Sequence, residues 1–367
     1  LSALWKPSDA LSFRASLGTT FRGASPSQSD ANSRVTVLSF VGPTGAFKAT
    51  DWTGNPNLEP ESAAITNLGV VWQPSESFQL TVDYWDIAFT DPVVIEDFNQ
   101  LISYYQGQQA AAVAANPDGD GADGIAGTAD DVDNSADRIA ALEAALPDDI
   151  ENQIICQGGV TCASSANSGS GIERIIVNWV NGASVDTSGL DIALRYSFDI
   201  GSGSMTLGAT YNTIQSYDVG TYTKSGVQIA EGFDALGFLN QSRPALPLPE
   251  LRSRYFLDFQ SGDHTFVYYI NVIGEYQDER LDNELTDGTI AANLGALLNE
   301  YAIIDEHITH DAHYNLGFGA GKGTFTASLI NLTDEAPPGA ALDLVYDPFT
   351  HNPIGRQIKL GIRYHVF

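Results

Sequence analysis

Basic residues, cysteine and methionine are scarce in this chain of 367 residues, which has 17 Lys and Arg against 46 Asp and Glu, with 2 Cys and 1 Met. The net charge of -29 argues against nucleic-acid binding, because that function needs clustered basic side chains. The chain lacks a run of about 18 apolar residues, so no segment is predicted to cross a membrane as a helix. It shows no signal peptide and opens at Leu1 in a strand-like segment. We therefore expect an exported precursor that was processed or that extends beyond this chain.

Alternation of apolar and polar residues is what the sequence has instead. From Leu190 to Phe198 every second residue is apolar, and residues 205–212 repeat the pattern after a Gly-rich turn at 199–204. Two such runs across a short turn predict a β-hairpin. About eleven stretches of strand length are present, and the clearest further examples of the alternation are residues 11–17, 78–84, 312–318 and 358–366.

The connections between these stretches alternate in length. Turns of a few residues, such as Lys6–Asp9 and Gln73–Glu76, alternate with loops at about 23–58, 91–170, 216–248, 277–302 and 332–353. A soluble β-sandwich also shows alternation, but compact soluble domains seldom carry such long loops. We predict an all-β fold, an antiparallel up-and-down transmembrane β-barrel with short periplasmic turns and long extracellular loops. An odd strand count cannot close such a barrel, so part of the wall is expected outside this chain.

The two cysteines, Cys156 and Cys162, are six residues apart. This spacing in an exported protein predicts a disulfide that closes a small extracellular loop. A metal site is the first alternative, but no further Cys or nearby His accompanies the pair. A redox-catalytic pair is the second alternative, and it is more often spaced C-x-x-C.

The longest loop is strongly acidic, since residues 91–170 carry 14 acids and one base. Carboxylate and amide oxygens on its Gly-rich part suit Ca²⁺, which binds six to eight hard oxygens. The candidate calcium ligands are Asn116, Asp118, Asp120, Asp123, Asp130 and Asp131. Against this, position 127, where an acidic ligand is expected, is Gly, and the alternative is a mobile acidic loop. Residues 135–146 are predicted to form a short helix, capped by Asn134 or Ser135, over the barrel mouth.

Five segments resemble motifs of TonB-dependent outer-membrane receptors, in the same order along the chain. They are Phe21–Ser25, Asn55–Glu61, Val82–Ile87, Thr187–Asp191 and Leu329–Pro338. The second, Asn-Pro-Asn-Leu-Glu-Pro-Glu, is similar to the family's N-P-x-L-x-P-E box. Each segment alone is a weak signal, whereas five in register over the whole chain make a strong one.

The resemblance implies a barrel of 22 strands in the bacterial outer membrane, with an N-terminal plug domain inside it. Residues 1–367 would then be the C-terminal part of the barrel, strands 12 to 22, and the plug and TonB box are not in this chain. The implied partners are the protein's own plug and remaining barrel strands, the TonB complex acting through the plug, outer-membrane lipid and the transported ligand.

Charged residues at alternating strand positions are predicted to face the plug. The candidates are Arg14, Asp83, Asp191 and Arg195, with Lys359 and Arg363 in the last strand. The resemblance implies that barrel carboxylates pair with plug arginines, and Asp191 lies where one is expected. The second expected carboxylate falls near Asn67, which is not acidic. A simple pore-lining role for Asp191 is the alternative.

The resemblance implies active transport of a scarce ligand, with no enzymatic activity and no required cofactor. An oligosaccharide, a peptide or a metal chelate such as a ferric siderophore remain open as ligands. The resemblance implies that a haem receptor would carry a His between the first two motifs, and residues 22–54 contain none, so haem is disfavoured. Loop aromatics are candidates for stacking on a ligand, or alternatively stabilise the fold: Trp52, Tyr104, Tyr105, Tyr217, Tyr222, Phe233 and Phe238. The alternative functions are a passive porin or channel and a structural surface protein.

The six histidines, all in the last third of the chain, show no spacing typical of a catalytic unit. We interpret them as hydrogen-bonded polar residues. The final residue, Phe367, is one step out of phase with Tyr364 and Val366, which predicts a bulge or register slip at the terminus.

Overall fold

The computed structural model of the chain describes residues 1–118, 134–156, 160–162, 171–241, 243–281 and 300–365. Its strands are β1 (Ser2–Ser8), β2 (Leu11–Arg22), β3 (Arg34–Val41), β4 (Ala46–Thr53), β5 (Glu61–Ser75), β6 (Phe78–Thr90), β7 (Val93–Ile95), β8 (Ile154–Cys156), β9 (Val160–Thr161), β10 (Ile172–Asn181), β11 (Val185–Ile200), β12 (Gly203–Val219), β13 (Tyr222–Lys224), β14 (Val227–Ala230), β15 (Phe233–Asp234), β16 (Leu251–Ser261), β17 (His264–Ile273), β18 (Tyr276–Gln277), β19 (Ile303–Ile304), β20 (His307–Phe318), β21 (Gly323–Ile330) and β22 (Gln357–Tyr364). Its helices are α1 (Pro26–Ser29), α2 (Phe98–Ala115), α3 (Ser135–Ala145) and α4 (Asp148–Glu151), with 3-10 turns at Gly42–Thr44 and Glu279–Leu281. Within these described ranges, no helix has the length and apolar character needed to cross a membrane.

The alternating segments form one antiparallel sheet, here called the wall. Its eleven main strands follow the order β1-β2-β5-β6-β11-β12-β16-β17-β20-β21-β22, and the short β15 pairs with β12. This confirms the predicted all-β, up-and-down arrangement. The turns at one end of the wall are two to four residues long, as at Asp9–Ala10 and Gly201–Ser202. Connections at the other end are long, so the predicted alternation of short turns and long loops is also confirmed.

One face of the wall is polar, as its register shows. Arg14 pairs with Gly69, Gly69 with Asp83, and Asp83 with Asp191, so these residues share one face. Following the register onward adds the remaining predicted inward residues to that face: Arg195, Lys359 and Arg363. The terminal slip predicted at Phe367 lies outside the described residues.

The opposite face of the wall is apolar and exposed. Leu68 is 52% exposed, Leu360 71% and Ile362 75%. Exposed apolar area on this scale is unusual for a surface in water and is what a lipid-facing strand requires.

Two loops fold together above the wall into a unit here called the loop layer, the described parts of residues 23–60 and 91–184. The hairpin β3–β4 comes from the first loop and β10 from the second. β4 and β10 pair in parallel, from Ala49 and Arg174 to Thr53 and Asn178. β10 also pairs with β7 and β8, while α2 packs against α3. The long loops are thus not irregular chain but a second small sheet with helices on it.

The loop layer has its own hydrophobic core. Ile102, Ile150, Ile154 and Ile175 are all 0% exposed. The other members of this core are Val41, Leu101, Tyr105, Ala112, Leu142, Leu146, Cys156, Cys162, Ile172 and Val177. Cys156 and Cys162 form a disulfide, which confirms the predicted bridge. α3 confirms the predicted helix, whereas α2 was not predicted.

Candidate ligand-binding site

A cavity of about 540 Å³ lies where the loop layer meets the wall. Its floor is the end of β2, β5, β6 and β11, where Arg22, Glu61, Phe89 and Val185 lie on the polar face. Its sides come from the segment around β7, the residues after β10 and the ends of β12 to β15. The remaining lining residues are Pro92, Val93, Val94, Ile95, Glu96, Asp97, Gln100, Val180, Gly182, Ala183, Tyr217, Val219, Gly220, Tyr222, Ala230, Glu231, Phe233 and Pro244.

An ion pair holds the floor of the cavity. Arg22 donates from Nε and Nη2 to the two carboxylate oxygens of Glu61, at 2.7 and 2.9 Å. The backbone N–H of Val93 also donates to Glu61 Oε2, at 3.0 Å. This bidentate geometry fixes both side chains, so Glu61 joins the wall to the start of the second loop. Arg22 and Glu61 belong to the first two sequence motifs, and the structure brings those motifs together.

Asparagine side chains tie the two loops of the loop layer to each other near this floor. Asn181 accepts from the backbone N–H of Glu59 at 2.9 Å, and its Nδ2 donates to the carbonyls of Glu59 and Asp91 at 2.9 and 3.0 Å. Asn55 Nδ2 donates to the carbonyl of Trp179 at 3.0 Å. The Asn55–Glu61 motif therefore anchors the first loop to β10 and its end.

A buried polar cluster forms one side of the cavity. Glu96, which is 3% exposed, accepts from Lys224 Nζ at 2.5 Å and from the Tyr222 hydroxyl at 3.2 Å. Gln153 donates to the other oxygen of Glu96 at 2.5 Å and accepts from Lys224 at 2.7 Å. Breaking a buried, paired charge is costly, so this cluster fixes the β13–β14 hairpin against the loop layer. Sequence patterns did not predict it, because Glu96 and Lys224 are far apart in the chain.

Burial changes the acidity of several groups around the cavity. Burial raises the pKa of the Tyr222 hydroxyl, and the adjacent Glu96 carboxylate raises it further. Burial also raises the pKa of Asp97, against the lowering effect of its hydrogen bonds from the backbone N–H groups of Gln100 and Asn99. Tyr222 therefore stays a neutral donor, and Asp97 caps the N-terminus of α2.

The predicted stacking aromatics divide into two groups. Tyr217, Tyr222 and Phe233 line the cavity. Trp52, Tyr104 and Tyr105 instead pack in or against the core of the loop layer. Tyr105 is 1% exposed, and burial followed by the charge of Glu151 raises its pKa to about 12. Phe238 lies under the guanidinium of Arg243, at 5.3 Å, as Phe233 does at 5.0 Å.

The predicted plug-facing residues lie on the polar face, but two of them pair with each other. Arg14 binds Asp83 through both carboxylate oxygens, with its Nε at 2.8 Å from Oδ1. The pair reaches across Gly69 on the strand between, where an added Cβ would lie 2.0 Å from Asp83 Oδ1. Asp191 accepts from Asn212 Nδ2 at 2.8 Å. A Gly inside a strand is the sequence signal for such a close approach.

The calcium prediction falls mostly outside the described residues, which include Asn116 and Asp118 but not Asp120, Asp123, Asp130 or Asp131. Asp118 binds Arg138 at 2.7 Å and accepts from the backbone N–H of Asn134 at 3.1 Å. In the part of the chain that the structure describes, no group of three or more His, Cys, Asp or Glu side chains is arranged to hold a metal ion. The calcium site stays a prediction.

Five of the histidines hydrogen bond through a ring nitrogen, as expected for structural polar residues. The shortest of these bonds is from His264 to Tyr314, at 2.6 Å. The others join His310 to Tyr268, His313 to Ser328, and His307 to His351. His351 also contacts the Tyr276 hydroxyl at 3.1 Å, and that hydroxyl donates to Asp347 at 2.7 Å. We call the buried group Tyr276, His307, Asp347 and His351 the Tyr276 cluster.

Residues 1–129 match the family model described as TonB dependent receptor-like, beta-barrel. No curated protein matches the chain. Among solved structures, the siderophore receptor PirA from Acinetobacter baumannii is 13% identical with a TM-score of 0.53, covering 98% of this chain and 40% of that one. The ferric enterobactin receptor PfeA from Pseudomonas aeruginosa, as a mutant in complex with enterobactin, is 10% identical with a TM-score of 0.57, covering 99% and 40%. The same receptor in complex with BCV-L6 is 11% identical with a TM-score of 0.56, again covering 99% and 40%.

The chain therefore spans about 40% of the length of these receptors. At such low identity the likeness concerns the fold, and it covers the wall together with the loops.

Proposed function

We propose that this chain is part of a TonB-dependent receptor β-barrel, the family whose model matches residues 1–129, and that it takes part in the active uptake of a scarce ligand across the outer membrane. The chain supplies membrane-spanning wall strands and, through the loop layer, a ligand site at the mouth. Energy comes from the proton-motive force of the inner membrane through TonB. The observation that carries the proposal is the cavity between wall and loop layer, which opens on the polar face of the wall.

The position of the cavity suits a receptor. Its floor residues lie on the face that carries Arg14, Asp83 and Asp191, which is the interior face of a barrel whose other face contacts lipid. A ligand held there lies at the entrance to the interior. The polar face is the surface that we expect the plug to contact, and the Asp191 carboxylate is available to it beside Asn212.

The loop layer suits a preformed binding site. Its hydrophobic core, its disulfide and the Glu96 cluster hold the sides of the cavity without a ligand. A site that is ordered before binding loses less conformational entropy when the ligand arrives, and this raises affinity. High affinity is what uptake of a scarce nutrient requires.

The cavity itself indicates the size and character of the ligand. The volume admits a small molecule or the end of an oligomer. Tyr217, Tyr222 and Phe233 offer ring faces for a sugar, a peptide side chain or the organic part of a metal chelate. These three ligand classes are the panel for the first experiment.

The test is uptake by cells that carry the complete gene, compared with a deletion strain. The probes are labelled oligosaccharides, labelled peptides, and radioactive ferric chelates of positive and of negative net charge. Uptake of each probe is measured with and without an uncoupler of the proton-motive force. We expect one probe to accumulate only with the gene and only in energised cells, while its surface binding survives the uncoupler. Tyr217→Ala is expected to reduce binding, and Ile362→Ala, on the lipid-facing side, is the control.

A passive channel gives a different result. Flux that persists after the proton-motive force is dissipated, with no saturable binding, would contradict active transport. Binding that survives Tyr217→Ala unchanged would contradict the cavity as the ligand site.

A further inference from the structure

The charges around the cavity are unbalanced. Among the described lining residues, Arg22 is the one base, against the carboxylates of Glu61, Glu96, Asp97 and Glu231. The whole chain has the same sign, with a net charge of -29. Long-range and local fields therefore both attract cations to this site and repel anions.

The nearby cations already have internal partners. Arg22 faces Glu61 through two hydrogen bonds. Lys224 is 11% exposed at its side chain and binds Glu96 and Gln153. Arg243 lies over the rings of Phe233 and Phe238 and donates to the carbonyl of Asp234 at 3.0 Å. An anionic ligand would have to compete with these partners for each cation.

One carboxylate and one aromatic ring of the lining have no ion pair and no cation-π contact in the described part of the chain. Glu231 is exposed, and no hydrogen bond or ion pair engages its side chain in the described part of the chain. Tyr217 lines the same cavity with Phe233. Aromatic faces beside a carboxylate favour an organic cation, because the ring quadrupole and the charge attract it together.

We propose that the part of the ligand held in this cavity is a ring-bearing organic cation, bound by Tyr217 through its ring face and by Glu231 through charge. This rests on the proposed function for its biological setting and adds the ligand's charge and shape. For three ligands of equal ring size, the affinity order is then cation, neutral molecule, anion.

The experiment uses the complete receptor purified in detergent micelles and three naphthalene probes. They carry a trimethylammonium, a methoxymethyl or a sulfonate group on the same ring system. Saturation-transfer NMR gives the affinity of each probe, with empty micelles as the baseline for partition into detergent. We expect the cation to bind about tenfold more tightly than the sulfonate at low salt, and this ratio to shrink as salt is added, because partly exposed charges are screened.

Two variants localise the effect to the cavity. Glu231→Gln is expected to lower the affinity for the cationic probe about fivefold, because one nearby charge is lost. The affinity for the neutral probe should not change. Tyr217→Phe keeps the ring and should retain binding of the cationic probe, whereas Tyr217→Ala should lower the affinity for that probe roughly fivefold. Glu306→Gln, an exposed carboxylate that does not line the cavity, is the matched control.

The outcomes separate this inference from the transport proposal. Equal or tighter binding of the sulfonate, or cation binding that Glu231→Gln and Tyr217→Ala leave unchanged, would overturn the ligand class assigned here, even if energised uptake is observed. Uptake that ignores the proton-motive force would overturn the transport proposal, even if the order of the three probes holds.

Discussion

The wall and the loop layer are stabilised in different ways although they alternate along one chain. The wall has its large apolar side chains on an exposed face, with Ile362 at 75% exposure, and its strands are joined by continuous ladders of backbone hydrogen bonds. The loop layer has a core of fully buried apolar residues, with Ile175 at 0% exposure, and adds a disulfide. The first depends on lipid to cover its apolar face, whereas the second has the core of a small soluble domain.

Both regions contribute to the ligand site. The cavity lies at the junction, so the wall contributes an ion pair on its polar face and the loop layer contributes a rigid side. A change that loosens one region should leave the other folded.

The largest difference is expected for the same substitution in the two regions. Ile175→Ala removes a fully buried side chain and should lower the stability of the loop layer by about 3 kcal/mol. Ile362→Ala should change stability by less than about 1 kcal/mol in detergent, because its side chain packs little against protein. Limited proteolysis in denaturant, followed at cleavage sites in the loop layer for Ile175→Ala and in the wall for Ile362→Ala, gives both values. Equal losses of stability at the two sites would contradict the conclusion that the wall and the loop layer are stabilised in different ways.

A pH dependence is expected in the loops near the Tyr276 cluster. Burial, and then the neighbouring His307, lower the pKa of His351 from 6.5 to about 4. The unfolded state therefore binds a proton more readily, so stability is fully present above pH 6.5 and is lost as pH falls towards 4. At pH 5 the loss should be about 2 kcal/mol.

Hydrogen exchange around Tyr276, corrected for intrinsic rates at pH 7 and pH 5, measures this loss. His351→Leu should remove most of the difference and leave the part that comes from His307, whose pKa burial also lowers. His365→Ala, at an exposed position, should retain the full difference. Protection that is identical at the two pH values in the unmodified protein would exclude His351 as the titrating group.

Removal of the disulfide is expected to affect the loop layer alone. Cys156→Ala with Cys162→Ala should lower its stability by roughly 2 kcal/mol, the chain-entropy value for a short closed loop. Thermal unfolding with a reductant provides an independent check on the unmodified protein. A change in the unfolding of the wall, or none in the loop layer, would contradict the separation of the two regions.

The smallest effect is expected from a pair of glycines in the wall. Gly69→Ala should separate Arg14 from Asp83, because an added Cβ meets Asp83 Oδ1 at 2.0 Å, with a cost of about 1 kcal/mol for a partly exposed ion pair. Gly18→Ala, on the neighbouring strand, meets nothing within 4 Å and is the control. Denaturant unfolding of the two variants in detergent should differ, and identical curves would show that Gly69 has no special role.

Much of the wall was predictable, since alternation depends only on neighbouring residues. Leu190–Phe198 became part of β11, and the polar residues between them share the face of Arg14 and Asp83. α3 was predictable from its cap and its following Pro147. α2 was not, because the apolar residues of its Gln- and Ala-rich sequence do not form a clear stripe at helical spacing. Its buried face is recognisable only once Leu101, Ile102 and Tyr105 are seen to be buried.

The candidate site was only partly predictable. Tyr217, Tyr222 and Phe233 were recognised as aromatic residues in loops, but so were Trp52 and Tyr105, which pack in the loop layer. Composition does not separate a core aromatic from an exposed one. The Glu96 and Lys224 pair joins residues 128 positions apart, and no local pattern reports such a contact.

The sequence by itself determined the strand period, the alternation of short turns with long acidic loops, and the spacing of the cysteines, because each depends on residues close together in the chain. The tertiary structure decided that two loops share one core through the parallel pairing of β4 and β10, and that Arg14 reaches Asp83 across Gly69. It also decided that Arg22, Glu61 and Tyr217 surround one cavity. These contacts join distant segments, so they depend on burial and packing of the whole loop layer on the wall and not on any local pattern.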